Sequence, residues 1–223
     1  MHLHILGICG TFMGGLAALA REAGHKVTGC DANVYPPMSD QLRALGIELI
    51  EGFSADQLAL KPDVFVVGNV VSRGNPLMEA ILDAGVRYTS GPQWLAEHVL
   101  QGRHVLAVAG THGKTTTTSM MAALLDAAQY DPTVINGGII NAWGTNARLG
   151  AGEWMVVEAD ESDGTFVKLP ATIACVTNMD PEHLDFYGTF DAAKRAYQTF
   201  IENIPFYGSA ILCIDHPEVQ AMV

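Results

Sequence analysis

The segment from Val105 to Thr117, VLAVAGTHGKTTT, constrains the fold more than any other part of this sequence. Its first five residues are mostly apolar and predict a buried strand, and the apolar period from Lys114 to Ala128 predicts a helix. A glycine-rich turn between a strand and a helix directs backbone N–H groups and the positive end of the helix dipole toward one place. The sequence therefore predicts a phosphate-binding turn within an α/β domain.

Individual residues of this turn also indicate phosphate chemistry. Gly110 and Gly113 leave the backbone open to phosphate oxygens, and Lys114 adds a full positive charge. The hydroxyl of Thr115 is a suitable ligand for Mg²⁺. The match to G-x-x-x-x-G-K is incomplete because Val108 replaces the first glycine. The alternative is an ordinary strand, turn and helix with a solvated lysine, but the joint occurrence of all these features favours the phosphate site.

Composition restricts the class of protein. The chain has 223 residues, of which 49% are hydrophobic and 16% charged, and this suits one large globular domain or two small ones. A net charge of -12 argues against nonspecific binding to nucleic acid or to an anionic membrane. The four cysteines show no C-x-x-C spacing, and no apolar stretch approaches the roughly 20 residues of a membrane span. We therefore expect a cytoplasmic protein with reduced thiols, without membrane insertion and without a nucleic acid partner.

The N-terminal sequence predicts a second glycine-rich turn. The predicted elements are a strand at His4 to Ile8, the turn GICGTFMGG, a helix at Leu16 to Glu22 and a strand at Lys26 to Cys30. Gly7, Gly10 and Gly14 would let a diphosphate approach the helix N-terminus, and Asp31 could reach a ribose. Because Cys9 interrupts the pattern G-x-G-x-x-G, a purely structural turn and a solvated or capping Asp31 are the alternatives.

The next residues continue the alternation of strands and helices. Strands are predicted at Glu48 to Glu51, Val64 to Val67 and Tyr88 to Ser90. Helices are predicted at Ser39 to Leu45, Ala55 to Leu60, Pro76 to Ala84 and Gly91 to Leu100. This order implies a parallel sheet with helices on both faces. The loop GNVVSRGNP lies at a carboxyl strand end, where such sheets bind ligands, and it offers Ser72 as a contact.

A domain boundary is predicted near residue 102, which gives domains at 1–102 and 103–223. After a strand at Thr133 to Asn136, the segment GGIINAWGTNARLGAG is predicted to be an irregular loop, because it is rich in Gly and Asn. A strand at Trp154 to Val157 then ends in carboxylates at positions 158, 160, 161 and 163. Of these, Glu158 is the predicted Mg²⁺ ligand, because it directly follows a strand next to the phosphate turn.

The last part of the sequence adds a histidine to the candidate site. A strand at Ile173 to Thr177 leads into NMDPEHLDFY, where His183 lies among carboxylates and could contact a second metal ion. A lone histidine is more often a surface or core residue, so that alternative stays open. The apolar stripe of a helix at Phe190 to Ile201 predicts core packing, and Ser209 to Ile214 predicts a final strand.

Four motifs in this order resemble the Mur ligase superfamily, the ATP-dependent amide-forming enzymes of peptidoglycan synthesis: GICGTFMGG, AGTHGKTTTT, VVEADESD and TNMDPEHLD. The family's short phosphate turn, G-T-x-G-K-T, accounts for Val108. The resemblance covers essentially the whole chain and points to the branch that uses UDP-N-acetylmuramate. Within that branch, CDANVYPPMS and YTSGPQWLAEHVL are similar to the tripeptide-recycling ligases, whereas GGIINAWGTNARLGAGEW and NIPFYGSAILCIDHPEVQ are similar to the L-alanine ligases.

The resemblance implies an α/β fold, with a Rossmann-like UDP-binding domain followed by part of a P-loop ATPase-like central domain. Full-length members have a third, C-terminal ligase domain, which we expect to be absent from this sequence, so that this chain alone would be inactive. The implied substrates are ATP with Mg²⁺, UDP-N-acetylmuramate and an amine, which is L-alanine or the murein tripeptide.

The resemblance also implies particular site residues. Lys114, Glu158 and His183 would be catalytic, and Thr115, Glu158 and His183 would hold Mg²⁺. The ATP contacts would be Gly110, Thr111, His112, Gly113, Lys114, Thr115 and Thr116. The contacts to the UDP-substrate would be Gly7, Gly10, Thr11, Gly14, Asp31 and Ser72. Two alternatives stay open: a nicotinamide-dependent oxidoreductase, which the first glycine turn alone suggests, and a nucleotide-binding fragment or regulatory module without catalysis.

Overall fold

Two separate β-sheets organise the chain, which the computed structural model describes over all of residues 1–223. The first sheet has the strand order β3-β2-β1-β4-β5, and all of its neighbouring strands are parallel. Its strands are β1 (His2–Leu6), β2 (Lys26–Asp31), β3 (Glu48–Glu51), β4 (Val64–Val67) and β5 (Tyr88–Ser90). The helices of this unit are α1 (Thr11–Glu22), α2 (Met38–Ala44), α3 (Pro76–Asp83) and α4 (Gly91–His98), with a 3₁₀ helix at Ala55–Leu60.

The second sheet has the order β11-β10-β6-β9-β7-β8 and is parallel except for β8, which runs antiparallel to β7. Its strands are β6 (His104–Ala109), β7 (Thr133–Ile140), β8 (Thr145–Arg148), β9 (Trp154–Glu158), β10 (Ile173–Val176) and β11 (Ser209–Leu212). Its helices are α5 (Lys114–Ala127), α6 (Leu184–Tyr187), α7 (Phe190–Glu202) and α8 (Pro217–Gln220), with a 3₁₀ helix at Thr165–Lys168. The predicted α/β class is therefore confirmed. None of the helices combines the length and the apolar character that crossing a bilayer requires.

Both sheets put their glycine turns at a topological switch point. In the first sheet, β1 lies between β2 and β4, and in the second, β6 lies between β10 and β9. A crevice opens at the carboxyl end of a sheet where the connections from neighbouring strands leave in opposite directions. Each glycine turn directly follows one of these two central strands, so the sheet topology exposes both turns to a ligand.

The structure corrects the predicted irregular loop after Asn136. Strand β7 continues to Ile140 and pairs with β8 as an antiparallel hairpin. Despite the Gly-rich and Asn-rich sequence, Asn146 and Ala147 are buried in this hairpin. The prediction was wrong because turn residues were weighed by composition alone, whereas tertiary contacts overrode their weak strand preference.

Helix α1 begins at Thr11, five residues before the predicted start, and it joins the two units. The early start was missed because Gly14 and Gly15 lower helix propensity. A Cβ atom built on Gly15 would lie 3.2 Å from a side-chain methyl of Ile135 and 3.3 Å from Cβ of Ala147, both in the β7–β8 hairpin. The glycine thus permits close packing of α1 on the second sheet, and a single hydrophobic core cluster includes residues of both units.

A buried polar chain crosses the first sheet. His4 is fully buried, with Nδ1 2.8 Å from Oγ1 of Thr28 and Nε2 2.9 Å from Oε1 of Gln57. Burial lowers the pKa of His4 to about 4, with a smaller lowering from the nearby His2, although the Gln57 contact opposes the shift. The imidazole is therefore neutral in the folded protein at neutral pH.

The low pKa of His4 makes stability depend on pH. Between the unfolded value of about 6.5 and the folded value of about 4, the unfolded chain binds more protons, so stability is complete above pH 6.5 and falls as the pH drops. We expect this residue to reduce the free energy of unfolding by about 2 kcal/mol between pH 7.5 and pH 5. Urea titrations at both pH values should show a smaller loss in His4→Gln than in the unaltered chain. The exposed control His104→Gln should lose as much as the unaltered chain, and an equal loss in His4→Gln would contradict the prediction.

Candidate functional site

The turn after β6 forms a narrow cradle between that strand and α5. Gly110 and Gly113 have φ values of 140° and 80°, which side-chain-bearing residues rarely adopt. A Cβ atom on Gly110 would lie 2.0 Å from Oγ1 of Thr177, so the neighbouring strand exit also requires glycine there. Thr111 is buried in the turn, and Thr116 is exposed in the first turn of α5.

The segment after β10 fixes the shape of this cradle. The backbone N–H of His112 donates to Oδ1 of Asn178 at 2.7 Å, and Nδ2 of Asn178 donates back to the carbonyl of His112 at 2.8 Å. The hydroxyl of Thr177 donates to the same carbonyl at 2.9 Å. The N–H of His112 is thus held by a side chain, and sequence reasoning did not predict this role for Asn178.

Lys114 is held by a carboxylate that sequence reasoning did not select. Its Nζ donates to Oε1 of Glu161 at 2.9 Å, to the carbonyl of Gly110 at 2.7 Å and to that of Thr111 at 3.3 Å. An ammonium group has three N–H donors, so the protein satisfies all of them. Glu161 is only 3% exposed; burial raises its pKa, while the hydrogen bond and charge of Lys114 lower it. Its other oxygen, Oε2, is buried without a hydrogen-bond partner.

The signal for Glu161 was present but ambiguous. It is one of three carboxylates that follow β9, and only the path of the chain beside β6 decides which of them meets the lysine. The sequence identifies the acidic run but does not give the path of the chain beyond Glu158.

Glu158 faces the first turn of α5 from the end of β9. The hydroxyl of Thr115 donates to its Oε1 at 3.1 Å, and the backbone N–H of Gly137 donates to its Oε2 at 2.6 Å. No group of three or more His, Cys, Asp or Glu side chains is arranged to hold a metal ion. A hydroxyl beside a carboxylate nevertheless fits Mg²⁺, which in phosphoryl-transfer sites takes one or two carboxylates and completes its shell with phosphate oxygens and water.

His183 lies next to Glu161. Its Nε2 lies 3.8 Å from Oε1 of Glu161, the oxygen that also accepts from Lys114. The hydroxyl of Tyr187 donates to the backbone carbonyl of Glu161, and burial raises the pKa of Tyr187, so it stays a donor at neutral pH. The structure thus brings His183 beside the lysine–glutamate pair.

The turn after β1 opens into two clefts. Gly10 and Thr11 line both a cleft of about 560 Å³, which Asp31 also lines, and one of about 280 Å³. Gly7 adopts a φ of 77° at the start of the turn. Oδ2 of Asp31 accepts from the backbone N–H of Cys9 at 2.9 Å, so Asp31 also shapes the turn.

Three predicted contacts lie outside these clefts. Gly7 is buried, and a Cβ atom there would lie 2.6 Å from a side-chain methyl of Val70. Gly14 is buried inside α1, where a Cβ atom would lie 2.4 Å from Sδ of Met38, so helix packing explains this glycine. Ser72 is exposed. The structure therefore does not bring Gly7, Gly14 or Ser72 into the clefts that the rest of the predicted set lines.

A third cleft lies between the start of α1 and Glu158. It has a volume of about 180 Å³, and its lining includes Thr11 from the first unit and Gly137 and Glu158 from the second. Thr11 therefore lines all three clefts. A molecule bound on the first glycine turn could extend toward the carboxylate that faces the phosphate cradle, which is the geometry that group transfer between two ligands requires.

Comparisons with known proteins find similar ligases. The chain is 53% identical over 225 residues to the UDP-N-acetylmuramate–L-alanine ligase of Allorhizobium ampelinum and 55% identical over 221 residues to that of Rhodopseudomonas palustris. These alignments cover 99% of this chain but 46% and 47% of the two relatives. The chain thus spans about half the length of the curated relatives that it matches.

Solved structures of similar ligases also align with nearly the whole of this chain. The ligase of Neisseria meningitides described as UDP-N-acetylmuramate:L-alanyl-gamma-D-glutamyl-meso-diaminopimelate ligase superposes with a TM-score of 0.92 at 43% identity, over 99% of this chain and 74% of that one. The UDP-N-acetylmuramate-alanine ligase of Thermotoga maritima has a TM-score of 0.86 at 27% identity, over 100% of this chain and 51% of that one.

Two family models divide the chain between them. The catalytic domain of the Mur ligase family matches residues 2–103, and the Mur ligase middle domain matches residues 108–223. Each matched region contains one of the two glycine turns, so the family assignment accounts for both turns. The alternative of a nicotinamide-dependent oxidoreductase accounted only for the first turn. On these matches, the chain belongs to the Mur ligase family.

Proposed function

We propose that this chain carries the acyl-substrate site and the phosphoryl-donor site of an ATP-dependent amide ligase that acts on UDP-N-acetylmuramate. One observation carries the proposal: Thr11, on the first glycine turn, shares a cleft with Glu158, which faces Thr115 in the phosphate cradle. The curated relatives are named as UDP-N-acetylmuramate–L-alanine ligases, and this supports UDP-N-acetylmuramate as the proposed substrate. We also propose domains at 1–102 and 103–223, supported by the two separate sheets.

In the proposed reaction, the carboxylate of the muramate attacks the γ-phosphorus of ATP, and ADP leaves. The resulting acyl phosphate is attacked by an amine, which forms the amide and releases phosphate. The amine is L-alanine or the murein tripeptide. Phosphoryl transfer requires positioning and charge neutralisation more than covalent participation by the protein.

The chain's own residues would supply that positioning. Lys114 would contact the β- and γ-phosphates by exchanging one of its three protein acceptors for a phosphate oxygen. Thr115 and Glu158 would hold Mg²⁺, which when bound neutralises phosphate charge. His183, beside Glu161, would serve a second metal ion near the acyl phosphate. Gly7, Gly10 and Thr11 would bind the diphosphate of the sugar nucleotide, with Asp31 near its nucleoside.

Calorimetry on this chain tests the binding half of the proposal. We expect UDP-N-acetylmuramate and Mg²⁺·ATP each to bind, and NAD not to compete with either. In a protein that also carries the C-terminal ligase domain, release of ADP that depends on L-alanine or on the tripeptide would establish the reaction and identify the amine. Absence of UDP-N-acetylmuramate binding to the folded chain would refute the assignment of the first site.

The first prediction concerns the charge of Lys114. A charge-assisted hydrogen bond to phosphate contributes about 1.5–3 kcal/mol, so Lys114→Ala should weaken Mg²⁺·ATP binding by at least roughly tenfold. The affinity for UDP-N-acetylmuramate should change by less than about twofold, because the first turn keeps its contacts. Calorimetry would measure both constants, with the exposed Lys168→Ala as the matched control. An unchanged ATP affinity would remove Lys114 from the proposed mechanism.

The second prediction concerns the buried partner of Lys114. Removing the lysine leaves the Glu161 carboxylate buried and unpaired, and breaking such a pair costs about 3–5 kcal/mol. We expect Lys114→Ala to lower the free energy of unfolding in urea, and Lys114→Ala/Glu161→Gln to regain most of that loss. The double variant also separates loss of ATP binding from loss of fold. Equal stability of the single and double variants would show that Glu161 carries no buried charge.

The third prediction concerns the metal. Glu158→Gln keeps the shape of the side chain but removes the charge that a hard divalent cation prefers. We expect Mg²⁺ to enhance ATP binding to the unaltered chain and to have little effect on this variant, while the melting temperature stays close to that of the parent. Glu153→Gln, an exposed change just before β9, is the control. Undiminished Mg²⁺ enhancement in Glu158→Gln would exclude this carboxylate as a ligand.

A further inference from the structure

Two buried asparagines connect the first glycine turn to the phosphate cradle. Asn146, in β8, is 3% exposed, and its Nδ2 donates to the carbonyl of Thr11 at 3.0 Å and to that of Asn136 at 3.3 Å. An amide nitrogen has two N–H donors, so both are used. Both partners are carbonyl oxygens, which only accept, so the hydrogen bonds themselves determine the orientation of this amide.

Asn136, at the middle of β7, extends the connection to α5. It is 1% exposed, and its Nδ2 donates to Oγ of Ser119 at 2.9 Å and to the carbonyl of Gly138 at 2.9 Å. The hydroxyl of Ser119 in turn donates to the carbonyl of Thr115 at 2.8 Å. A series of hydrogen bonds that passes through Asn146, Asn136 and Ser119 therefore leads from Thr11 to Thr115, in the first turn of the cradle helix.

The same strand also positions the proposed metal ligand. Gly137 follows Asn136 directly, and its N–H donates to Oε2 of Glu158, whose Oε1 accepts from Thr115. Because Asn136, Gly137, Glu158 and Thr115 are held together, a shift of Thr11 relative to Asn136 is a shift relative to the whole phosphoryl-donor site.

Helix α1 is anchored to the second unit at its other end as well. A carboxylate oxygen of Glu22 accepts from the backbone N–H of Leu149 at 2.7 Å, two turns beyond the contact of Gly15 with the hairpin. Of these contacts, only that of Asn146 reaches the glycine turn itself. The Glu22 contact fixes the direction of α1, and the Asn146 contact fixes the position of its first turn.

We propose that Asn146 is a positioning residue that sets the separation between the acyl substrate and the phosphoryl donor. The inference rests on the proposed function, since it assumes one ligand at each turn. Transfer requires the reacting atoms to approach within about 3–3.5 Å, and a misplacement of about 1 Å can cost roughly a hundredfold in rate. A buried amide that donates both of its N–H groups to backbone carbonyls between the two sites is suited to hold such a distance.

The test measures the distance between the two bound ligands in this chain. Mn²⁺·ADP at the cradle broadens the proton resonances of bound UDP-N-acetylmuramate with an inverse sixth-power dependence on distance, so a displacement of about 1 Å changes the broadening about twofold. Asn146→Ala removes both donations and should change the broadening of the lactyl methyl signal by at least that amount. Asn146 also lines the cleft of about 560 Å³ at the first turn, so calorimetry first fixes the concentrations that saturate both sites in each variant, and the broadening is compared at saturation.

Two further variants make the result specific. Asn141→Ala alters an exposed asparagine of the same hairpin and should leave the broadening unchanged. Ser119→Ala breaks the connection at another link and should change the broadening in the same way, which keeps the test available if Asn146→Ala fails to fold. A merely structural role of Asn146 would lower the folded fraction and would not alter the broadening of the ligand that is bound.

The outcomes separate this inference from the function on which it rests. Unchanged broadening in Asn146→Ala and Ser119→Ala, with both ligands bound, would overturn the positioning role and leave the proposed function intact. Failure of either ligand to bind the unaltered chain would overturn the proposed function and the positioning role with it.

Discussion

The close packing of α1 against the β7–β8 hairpin is the contact on which the arrangement of both sites depends. The glycine turn after β1 forms the start of this helix, so the position of the helix determines where that turn lies. Gly15 allows the approach because it presents no Cβ atom to Ile135 and Ala147. A larger residue would displace the helix and, with it, the residue Thr11 that lines all three clefts. A packing constraint in the core thus controls the geometry of the candidate site.

The sequence predicted the parts of the fold that depend on local pattern. Alternating apolar strands and helices predicted the α/β class, and the glycine turns predicted where the crevices lie, because strand, turn and helix are neighbours in the chain. The β7–β8 hairpin was missed because its stability comes from the burial of Asn146 and Ala147 against α1, more than a hundred residues earlier in the chain. No local propensity encodes a contact of that range.

The same distinction applies to the site residues. Lys114 and Thr115 follow the turn directly, so their position in the motif was enough to select them. Glu161 and Asn178 act across neighbouring strands, and their hydrogen bonds to the cradle follow from strand order and register. Gly14 shows the opposite error, because a residue was selected that has no site role in the structure. Its place in the glycine-rich sequence suggested contact with a ligand, whereas the close packing of Met38 explains why glycine is needed there.

The two glycine turns differ in the side chain that holds them, and the difference is electrostatic. In each unit, a side chain from the end of a neighbouring strand accepts a hydrogen bond from a backbone N–H of the turn. In the first unit, Asp31 at the end of β2 accepts from Cys9, and in the second, Asn178 just beyond β10 accepts from His112. Asp31 brings a carboxylate beside the first turn, where it is suited to accept hydrogen bonds from ribose hydroxyls. Asn178 is neutral and adds no charge to the second turn. The carboxylate that pairs with Lys114 is Glu161, and its charge balances that of the lysine. A polyphosphate that enters the second turn therefore meets a lysine that can keep its buried Glu161 partner and exchange a backbone carbonyl acceptor for a phosphate oxygen.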